Sequence, residues 1–91
     1  NLSYAYEIKA WNDDMRRLPA QLDAYCKLFD YIYVATTANH LDQLQLIPDF
    51  VGIVLYSTKT KKIVYKRRAK KKSFNRQKRA FNVHSNFIYS E

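Results

Sequence analysis

Residues 4–25 have the sequence YAYEIKAWNDDMRRLPAQLDAY, in which a strand pattern is followed by a helix pattern. Over residues 4–11, aromatic and β-branched side chains nearly alternate with other types, which predicts a strand. Since successive side chains of a strand point to opposite faces, Glu7 and Lys9 share one face and the tyrosines occupy the other. A carboxylate and an ammonium group are therefore expected side by side.

This pair of side chains has two interpretations. Glu and Lys on one face of a strand most often form a structural ion pair, and from Glu7 and Lys9 alone we favour that interpretation. The same groups also suit metal-assisted cleavage of a phosphodiester. In that chemistry a carboxylate holds Mg²⁺, the cation lowers the pKa of a bound water, and a lysine stabilises the developing negative charge.

A helix is predicted after a short turn. We expect a single turn over residues 13–17 and the main helix over residues 19–29, because Pro19 suits the first position of a helix. Gln21 and Tyr25 are four residues apart, so they share one face of that helix. We expect the strand with Glu7 and Lys9 to be central in the sheet, with Gln21 directed toward these two side chains.

The remaining pattern predicts three more strands. Residues 31–36 are apolar on both faces, which is typical of a central strand parallel to its neighbour. A second helix over residues 39–46 leads to a third strand over residues 50–56. That strand contains Gly52, which indicates a bulge or a close approach of the backbone. Residues 62–67 form the fourth strand, joined to the third as a hairpin.

A strand with Glu-x-Lys, a turn and a helix with Gln-x-x-x-Tyr together resemble the PD-(D/E)XK nuclease superfamily, especially its RecB-type exonucleases. The longer run from Tyr6 to Asp30 is similar to a small family of phage and bacterial proteins in that superfamily. The resemblance covers residues 4–69. It implies an α/β fold with a mixed β-sheet and flanking helices, that is, a restriction-endonuclease-like core truncated at its N-terminus.

The resemblance also implies roles for individual residues. The Glu7 carboxylate would bind Mg²⁺ or Mn²⁺, with the main-chain carbonyl of Ile8 as a further metal ligand. Lys9 would act at the scissile phosphate. Gln21 would support the site or contact DNA, and Tyr25 would buttress it. The implied function is that of a Mg²⁺-dependent DNA nuclease, or the C-terminal part of one, acting on phage or bacterial DNA.

One part of the superfamily's pattern is missing. Its other metal-binding carboxylate lies on the strand before Glu-x-Lys, and only Asn1, Leu2 and Ser3 precede Tyr4. We therefore expect either a fragment of a longer protein or a site that has lost half of its metal ligands, with the metal bound weakly if at all. The alternative function is a catalytically inactive module that binds nucleic acid or, as a phage inhibitor, a host defence complex.

Charge is unevenly distributed along the chain. Residues 1–56 carry four basic and seven acidic side chains, a net charge of −3. Residues 57–91 carry twelve basic side chains and one acidic side chain, a net charge of +11. The whole chain therefore has a net charge of +8. This asymmetry predicts an anionic partner, most simply nucleic acid and DNA in particular. Two alternatives for the basic part are a solvated tail that binds nothing specific and an RNA-binding arm. The chain could also bind a protein partner or form a homodimer.

The expected nucleic-acid-binding residues all lie in the basic part. They are Lys66, Arg67, Arg68, Lys70, Lys71, Lys72, Arg76, Lys78 and Arg79. We accordingly divide the chain into a nuclease-like α/β core, residues 1–69, and a basic C-terminal arm, residues 70–91.

Length and composition restrict the class of protein. Ninety-one residues make one domain. The longest apolar run, residues 50–56, is much shorter than the ~20 residues of a membrane helix, so we expect no membrane partner. Cys26 is the only cysteine, which excludes an internal disulfide and suits the reducing cytoplasm of a bacterial or phage-infected cell.

We predict that affinity for nucleic acid falls steeply with salt. If about six phosphates are contacted, the logarithm of affinity for duplex DNA should fall with the logarithm of salt concentration with a slope of about −5. Replacing Lys70, Lys71 and Lys72 by Gln should weaken binding to all sequences alike, because phosphate contacts carry no sequence information. Fluorescence anisotropy over a salt series measures both effects. A flat salt response would assign the basic arm to a protein partner or to solubility.

Overall fold

The computed structural model describes residues 2–71, which form a four-stranded sheet with the strand order β1-β2-β3-β4. The strands are β1 (Tyr4–Ile8), β2 (Tyr31–Thr36), β3 (Gly52–Ser57) and β4 (Lys62–Arg67). β1, β2 and β3 run parallel, and β4 is antiparallel to β3. The predicted α/β class with a mixed sheet is confirmed.

Helices form the two connections between parallel strands. A 3-10 turn, Met15–Arg17, leads into α1 (Leu18–Cys26), and a second 3-10 turn, Ala38–His40, leads into α2 (Leu41–Leu44). Pro19 lies in the first turn of α1, where a missing N–H is harmless. In the part of the chain that the structure describes, no helix combines the length and the apolar character needed to cross a membrane.

Both helices pack on the same face of the sheet. The core is made of buried side chains from α1, α2, the two inner strands and the α2–β3 connection. They are Leu18, Leu22, Cys26, Ile32, Val34, Leu44, Ile47, Phe50, Val51 and Ile53. The opposite face, which carries the alternate residues of each strand, is not covered by either helix. Its β1 side chains, Tyr4, Tyr6 and Ile8, are about half exposed or more.

The alternation predicted for β1 is confirmed. Ala5 and Lys9 are buried and Glu7 is partly buried on the helix-covered face, whereas the intervening side chains are exposed. The expectation that this strand is central is wrong for residues 2–71. Within them β1 pairs with β2 alone and forms an edge of the sheet.

Several predicted boundaries differ from the structure. β1 ends at Ile8, before the predicted residue 11, because Ala10 and Asp13 close a turn: the Ala10 N–H donates to Asp13 Oδ2 at 2.7 Å. α1 ends at Cys26, before residue 29, since Tyr31 N–H already donates to the Ser3 carbonyl to begin β2.

The second helix and the third strand are also shorter than predicted. The segment predicted as a helix over residues 39–46 contains a regular helix only over Leu41–Leu44, flanked by turns that bond three residues back. β3 begins at Gly52, after residue 50, because Val51 N–H donates to the Pro48 carbonyl in a turn.

Gly52 lies where the backbone is approached closely, as its position in a strand pattern predicts. A Cβ atom on Gly52 would be 2.3 Å from two ring carbons of Tyr33 and 2.7 Å from the Ala69 nitrogen. The Tyr33 ring therefore occupies the space that a side chain would need. The pairing of β3 with β4 also shifts in register between Ile53 and Val54.

We predict that Gly52→Ala lowers the free energy of unfolding by about 1–3 kcal/mol, because the added methyl group forces the Tyr33 ring to move. Urea unfolding followed by circular dichroism measures the change. In a Tyr33→Ala background the same substitution should be less destabilising, which a double-mutant cycle detects. An unchanged stability of Gly52→Ala would show that the Tyr33 ring does not lie across this position.

Candidate active site

The Glu7 carboxylate is held between β1 and α1. The Tyr25 hydroxyl donates a hydrogen bond of 2.7 Å to Glu7 Oε1. On the other side, Lys9 Nζ lies 4.0 Å from Glu7 Oε2. The hydrogen bond to Glu7, together with burial, raises the pKa of Tyr25 above its usual value. Tyr25 therefore remains a donor over the whole neutral range and fixes the orientation of the carboxylate.

The charged groups of this cluster have little contact with water. The side chains of Lys9 and Glu7 are only 8% and 13% exposed. Removing two charges from water is unfavourable, and a separation of 4.0 Å recovers less than a close ion pair does. Such a pair therefore contributes little to the stability of the fold.

Main-chain contacts to the neighbouring strands fix the position of Lys9. Its N–H donates to the Ala35 carbonyl at 2.9 Å. Its carbonyl accepts from the hydroxyls of Thr36 and Tyr56, each at 2.9 Å. The end of β1 is thus tied to β2 and β3, and the Lys9 side chain leaves the sheet from a rigid point.

The Ile8 carbonyl points to the outer edge of the sheet. Successive residues of a strand direct their backbone groups to opposite sides, and both backbone groups of Lys9 face β2. The predicted metal ligands, the Glu7 carboxylate and the Ile8 carbonyl, therefore lie on neighbouring positions of the same edge strand but project in different directions.

Gln21 lies one turn before Tyr25 on α1. Its Oε1 atom is buried and has no hydrogen-bond partner among residues 2–71. A buried acceptor left unpaired is unfavourable by about 1–3 kcal/mol. The structure thus brings Glu7, Lys9 and Tyr25 together in one cluster. Gln21 lies on α1, as Tyr25 does, and its buried Oε1 has no hydrogen-bond partner among residues 2–71.

Asp14 is a second carboxylate near this cluster. It caps the turn before α1 by accepting from the Arg16 N–H and guanidinium, at 2.6–3.0 Å. Hydrogen bonds from Arg16 lower the pKa of Asp14 to about 2, and Lys9 contributes a smaller effect. In the sequence, the position of Asp14 indicates this proximity, because an acidic residue occupies the turn directly after the Glu-x-Lys strand.

A shallow cleft lies at the carboxyl ends of the parallel strands, and none of Glu7, Lys9, Gln21 and Tyr25 lines it. Its volume is about 560 Å³, and Ala10, Trp11, Thr37, Ala38, Tyr56 and residues 57–59 line it. His40 Nε2 hydrogen bonds the Ala10 carbonyl at 2.9 Å, so this His holds the wall of the cleft. Ligands of open α/β sheets bind at this end of the strands.

The donor set fits only part of a magnesium site. Mg²⁺ takes six oxygen ligands, of which one or two are carboxylates and several are waters. Glu7 provides one carboxylate, and its Oε1 is shared with Tyr25. Residues 2–71 contain no group of three or more His, Cys, Asp and Glu side chains arranged to hold a metal ion. A complete site needs at least one more carboxylate.

The predicted nucleic-acid-binding residues fall into three sets. Lys66, Arg68, Lys70 and Lys71 have exposed side chains. Lys72, Arg76, Lys78 and Arg79 lie outside the described residues. Arg67 differs from both sets, because its guanidinium donates to the carbonyls of Val51 and Pro48, each at 2.9 Å. Burial lowers the pKa of Arg67 below its usual value, and nearby Asp49 opposes this.

A comparison with models of protein families matches most of this chain. Residues 1–84 match the model of a family described as bacteriophage P4 protein cII. The chain belongs to the bacteriophage P4 cII family. The matched range includes Glu7, Lys9, Gln21 and Tyr25, and the phage association that the sequence suggests is confirmed. No curated protein and no solved structure matches this cII-family chain. Its relation to the PD-(D/E)XK nucleases stays a prediction.

We predict that Tyr25→Phe lowers the free energy of unfolding by about 1–2 kcal/mol, because Glu7 loses a hydrogen bond to a charged, largely buried oxygen. The raised pKa of Tyr25 also gives this contribution a pH dependence. It is fully present below about pH 10, the usual tyrosine pKa, and is lost as pH rises through the folded-state value. Urea unfolding at neutral and alkaline pH measures both. Tyr4→Phe, on the exposed face, is the matched control and should be neutral.

Proposed function

We propose that this cII-family chain is part of a Mg²⁺-dependent DNA nuclease and supplies one half of its active site. The observation that carries the proposal is the cluster in which Tyr25 orients the Glu7 carboxylate beside the Lys9 ammonium group. β1, α1 and β2 would then be one βαβ unit of a restriction-endonuclease-like core, with β1 at the edge of the sheet that residues 2–71 form. The chain would act in the cytoplasm of a phage-infected bacterial cell.

The energetics of the cluster favour a chemical role over a structural one. Two charged side chains that are 8% and 13% exposed and 4.0 Å apart add little to stability. Apolar residues at these two positions would stabilise the packing of the strand against the helix at least as well. Retaining a carboxylate, an ammonium group and a phenol together is expected where a charged substrate must be bound.

Each residue would have a distinct task. Lys9 would contact the scissile phosphate and stabilise the charge that develops on it. Tyr25 would hold Glu7 in one orientation, and the buried Gln21 Oε1 would accept a hydrogen bond from an internal water. A bound Mg²⁺ would supply an activated water and charge neutralisation. The Glu7 carboxylate would be its ligand from this chain, because the Ile8 carbonyl projects in a different direction.

The second carboxylate would come from beyond the described residues, from another subunit, or from Asp14. Asp14 would first have to release Arg16, which holds both of its carboxylate oxygens. A carboxylate outside residues 2–71 therefore fits this requirement better.

A catalytically inactive module is the second candidate function. It is favoured by the engagement of Glu7 Oε1 with Tyr25 and by the lack of a three-ligand group in residues 2–71. Such a module would bind nucleic acid or a host defence complex and would leave the phosphodiester intact. Metal binding and cleavage separate the two candidates.

We predict that the 91-residue chain binds Mn²⁺ weakly and shows little or no cleavage of plasmid DNA, because a single carboxylate holds a hard cation poorly. Glu7→Gln should abolish the weak binding seen by calorimetry. Asp23→Asn is the matched control, since Asp23 is an exposed carboxylate on α1 paired with Lys27. In a longer form that restores an Asp on a strand before β1, cleavage should occur and should be EDTA-sensitive. Glu7→Gln or Lys9→Ala should abolish that cleavage and leave DNA binding intact.

Two results would contradict the proposal in different ways. Absence of Glu7-dependent Mn²⁺ binding, together with no cleavage by the longer form with the restored Asp, would establish the inactive module. Strong EDTA-sensitive cleavage by the 91 residues, lost on Glu7→Gln, would keep the nuclease but show that a carboxylate within the chain, such as Asp13 or Asp14, completes the site.

A further inference from the structure

The face of the sheet opposite the helices carries a continuous group of aromatic rings. The rings belong to β1, β2 and β4, and we call them the tyrosine face: Tyr4, Tyr6, Tyr31, Tyr33 and Tyr65. Tyr4 stacks on Tyr31 with centroids 4.8 Å apart, and Tyr6 stacks on Tyr33 at 4.9 Å. Tyr65 meets the Tyr33 ring edge to face at 5.6 Å. The group crosses β3 because Gly52 leaves room for the Tyr33 ring.

Three of these rings remain accessible to a ligand. Tyr4, Tyr6 and Tyr65 are 52%, 47% and 41% exposed. Tyr4 and Tyr6 lie on β1, which has no neighbouring strand on its outer side among residues 2–71. Each therefore turns one ring face to its stacking partner and the other to the outer edge. A hydrogen bond to Tyr65 raises the pKa of Tyr6 to about 12, so the Tyr6 ring stays uncharged at neutral pH.

The charge on the β4 side of the tyrosine face is positive. Residues 57–71 contain eight basic side chains and no acidic one. The Arg68 guanidinium lies 4.2 Å from the centroid of Tyr65, which brings a cation onto the border of the face. The acidic residue of β1, Glu7, projects from the other side of the sheet. Asp30, which precedes Tyr31, is a carboxylate at the β1–β2 end of the face, and its Oδ2 accepts hydrogen bonds from the Ser3 N–H and hydroxyl.

The combination of exposed tyrosine rings and nearby basic residues favours one class of partner over others. Rings that stack at about half exposure offer ~1–3 kcal/mol per base to unpaired nucleotides, whatever the sequence. Duplex DNA keeps its base faces covered, so it would meet only the basic border. A second copy of the chain would bring another positively charged face against this one, which is unfavourable.

We propose that the tyrosine face binds single-stranded nucleic acid, with bases stacked on Tyr4 and Tyr6 at one edge of the sheet and the phosphates of nucleotides further along the strand at Arg68 and the lysines around β4, at the other edge. This site lies on the opposite side of the sheet from Glu7 and Lys9. It therefore stands independently of the nuclease proposal, and binding there needs no metal.

The test compares the 91-residue chain on two labelled single strands in EDTA at low salt. One is an oligothymidylate of about 12 nucleotides, within the ~4–16 that a single stacking fold covers. The other is an abasic strand of the same length, which has the same phosphates and no bases. The chain should prefer the oligothymidylate by roughly 5-fold to 100-fold, the affinity that one stacked base confers.

Variants assign this preference to the tyrosine face. Tyr6→Leu, which keeps an apolar side chain but removes the ring, should reduce the preference to near unity, and Tyr6→Phe should restore it. Tyr4→Leu, at the more exposed position, tests the same point if Tyr6→Leu fails to fold by circular dichroism. Trp11→Leu is the matched control, because Trp11 is an exposed aromatic residue in the turn after β1 and not on this face.

Two outcomes would overturn the proposal. Equal affinity for the oligothymidylate and the abasic strand would show that phosphate contacts to the basic residues are the whole interaction. Concentration-dependent self-association that Tyr6→Leu abolishes, without any preference for bases, would show that a second copy covers the tyrosine face.

Discussion

The charged pair of Glu7 and Lys9, set between an edge strand and a helix, is the interaction around which the candidate site is arranged. Neither group keeps more than a small exposed fraction, so each must find its partners within the protein. Tyr25 provides one by hydrogen bonding Glu7. Thr36 and Tyr56 provide rigidity by bonding the Lys9 carbonyl. Three strands and one helix thereby converge on two residues.

The two faces of β1 carry different chemistry because side chains alternate along a strand. Glu7 and Lys9 lie under α1 and form a compact charged cluster. Tyr4 and Tyr6 lie on the uncovered face and stack on tyrosines of β2. One short strand thus presents groups suited to a phosphate on one side and groups suited to nucleobases on the other. The basic residues after β3 provide the electrostatic attraction that both would use.

Much of the fold could be predicted from local pattern. The period-two alternation around Glu7, the four-residue spacing of Gln21 and Tyr25, and the lone Gly52 in a strand pattern are all signals within a few residues. They give the four strands, the face shared by Glu7 and Lys9, and the close approach at Gly52. Helix ends were less predictable, because Ser3 and Tyr31 decide where α1 must stop, and they are far apart in sequence.

Other parts of the site depend on contacts that sequence spacing cannot supply. Thr36 and Tyr56 reach Lys9 from strands 27 and 47 residues away. Arg67 belongs to a run of basic residues that suggests phosphate binding, yet its guanidinium bonds two main-chain carbonyls. The open tyrosine face becomes evident only once both helices are known to pack on one side of the sheet.

Whether the charged cluster is retained for chemistry or for stability is measured most directly by removing it as a unit. The variant combines Glu7→Leu, Lys9→Met and Tyr25→Phe, and its unfolding free energy in urea is compared with that of wild type and of Lys9→Met alone. Lys9→Met leaves Glu7 without a counter-charge and should lose about 1–3 kcal/mol, less than the ~3–5 kcal/mol of a fully buried pair. The triple variant should be as stable as wild type or more stable, since apolar residues replace a buried ion pair without loss. A triple variant less stable than Lys9→Met would contradict a chemical role and make the cluster a structural element.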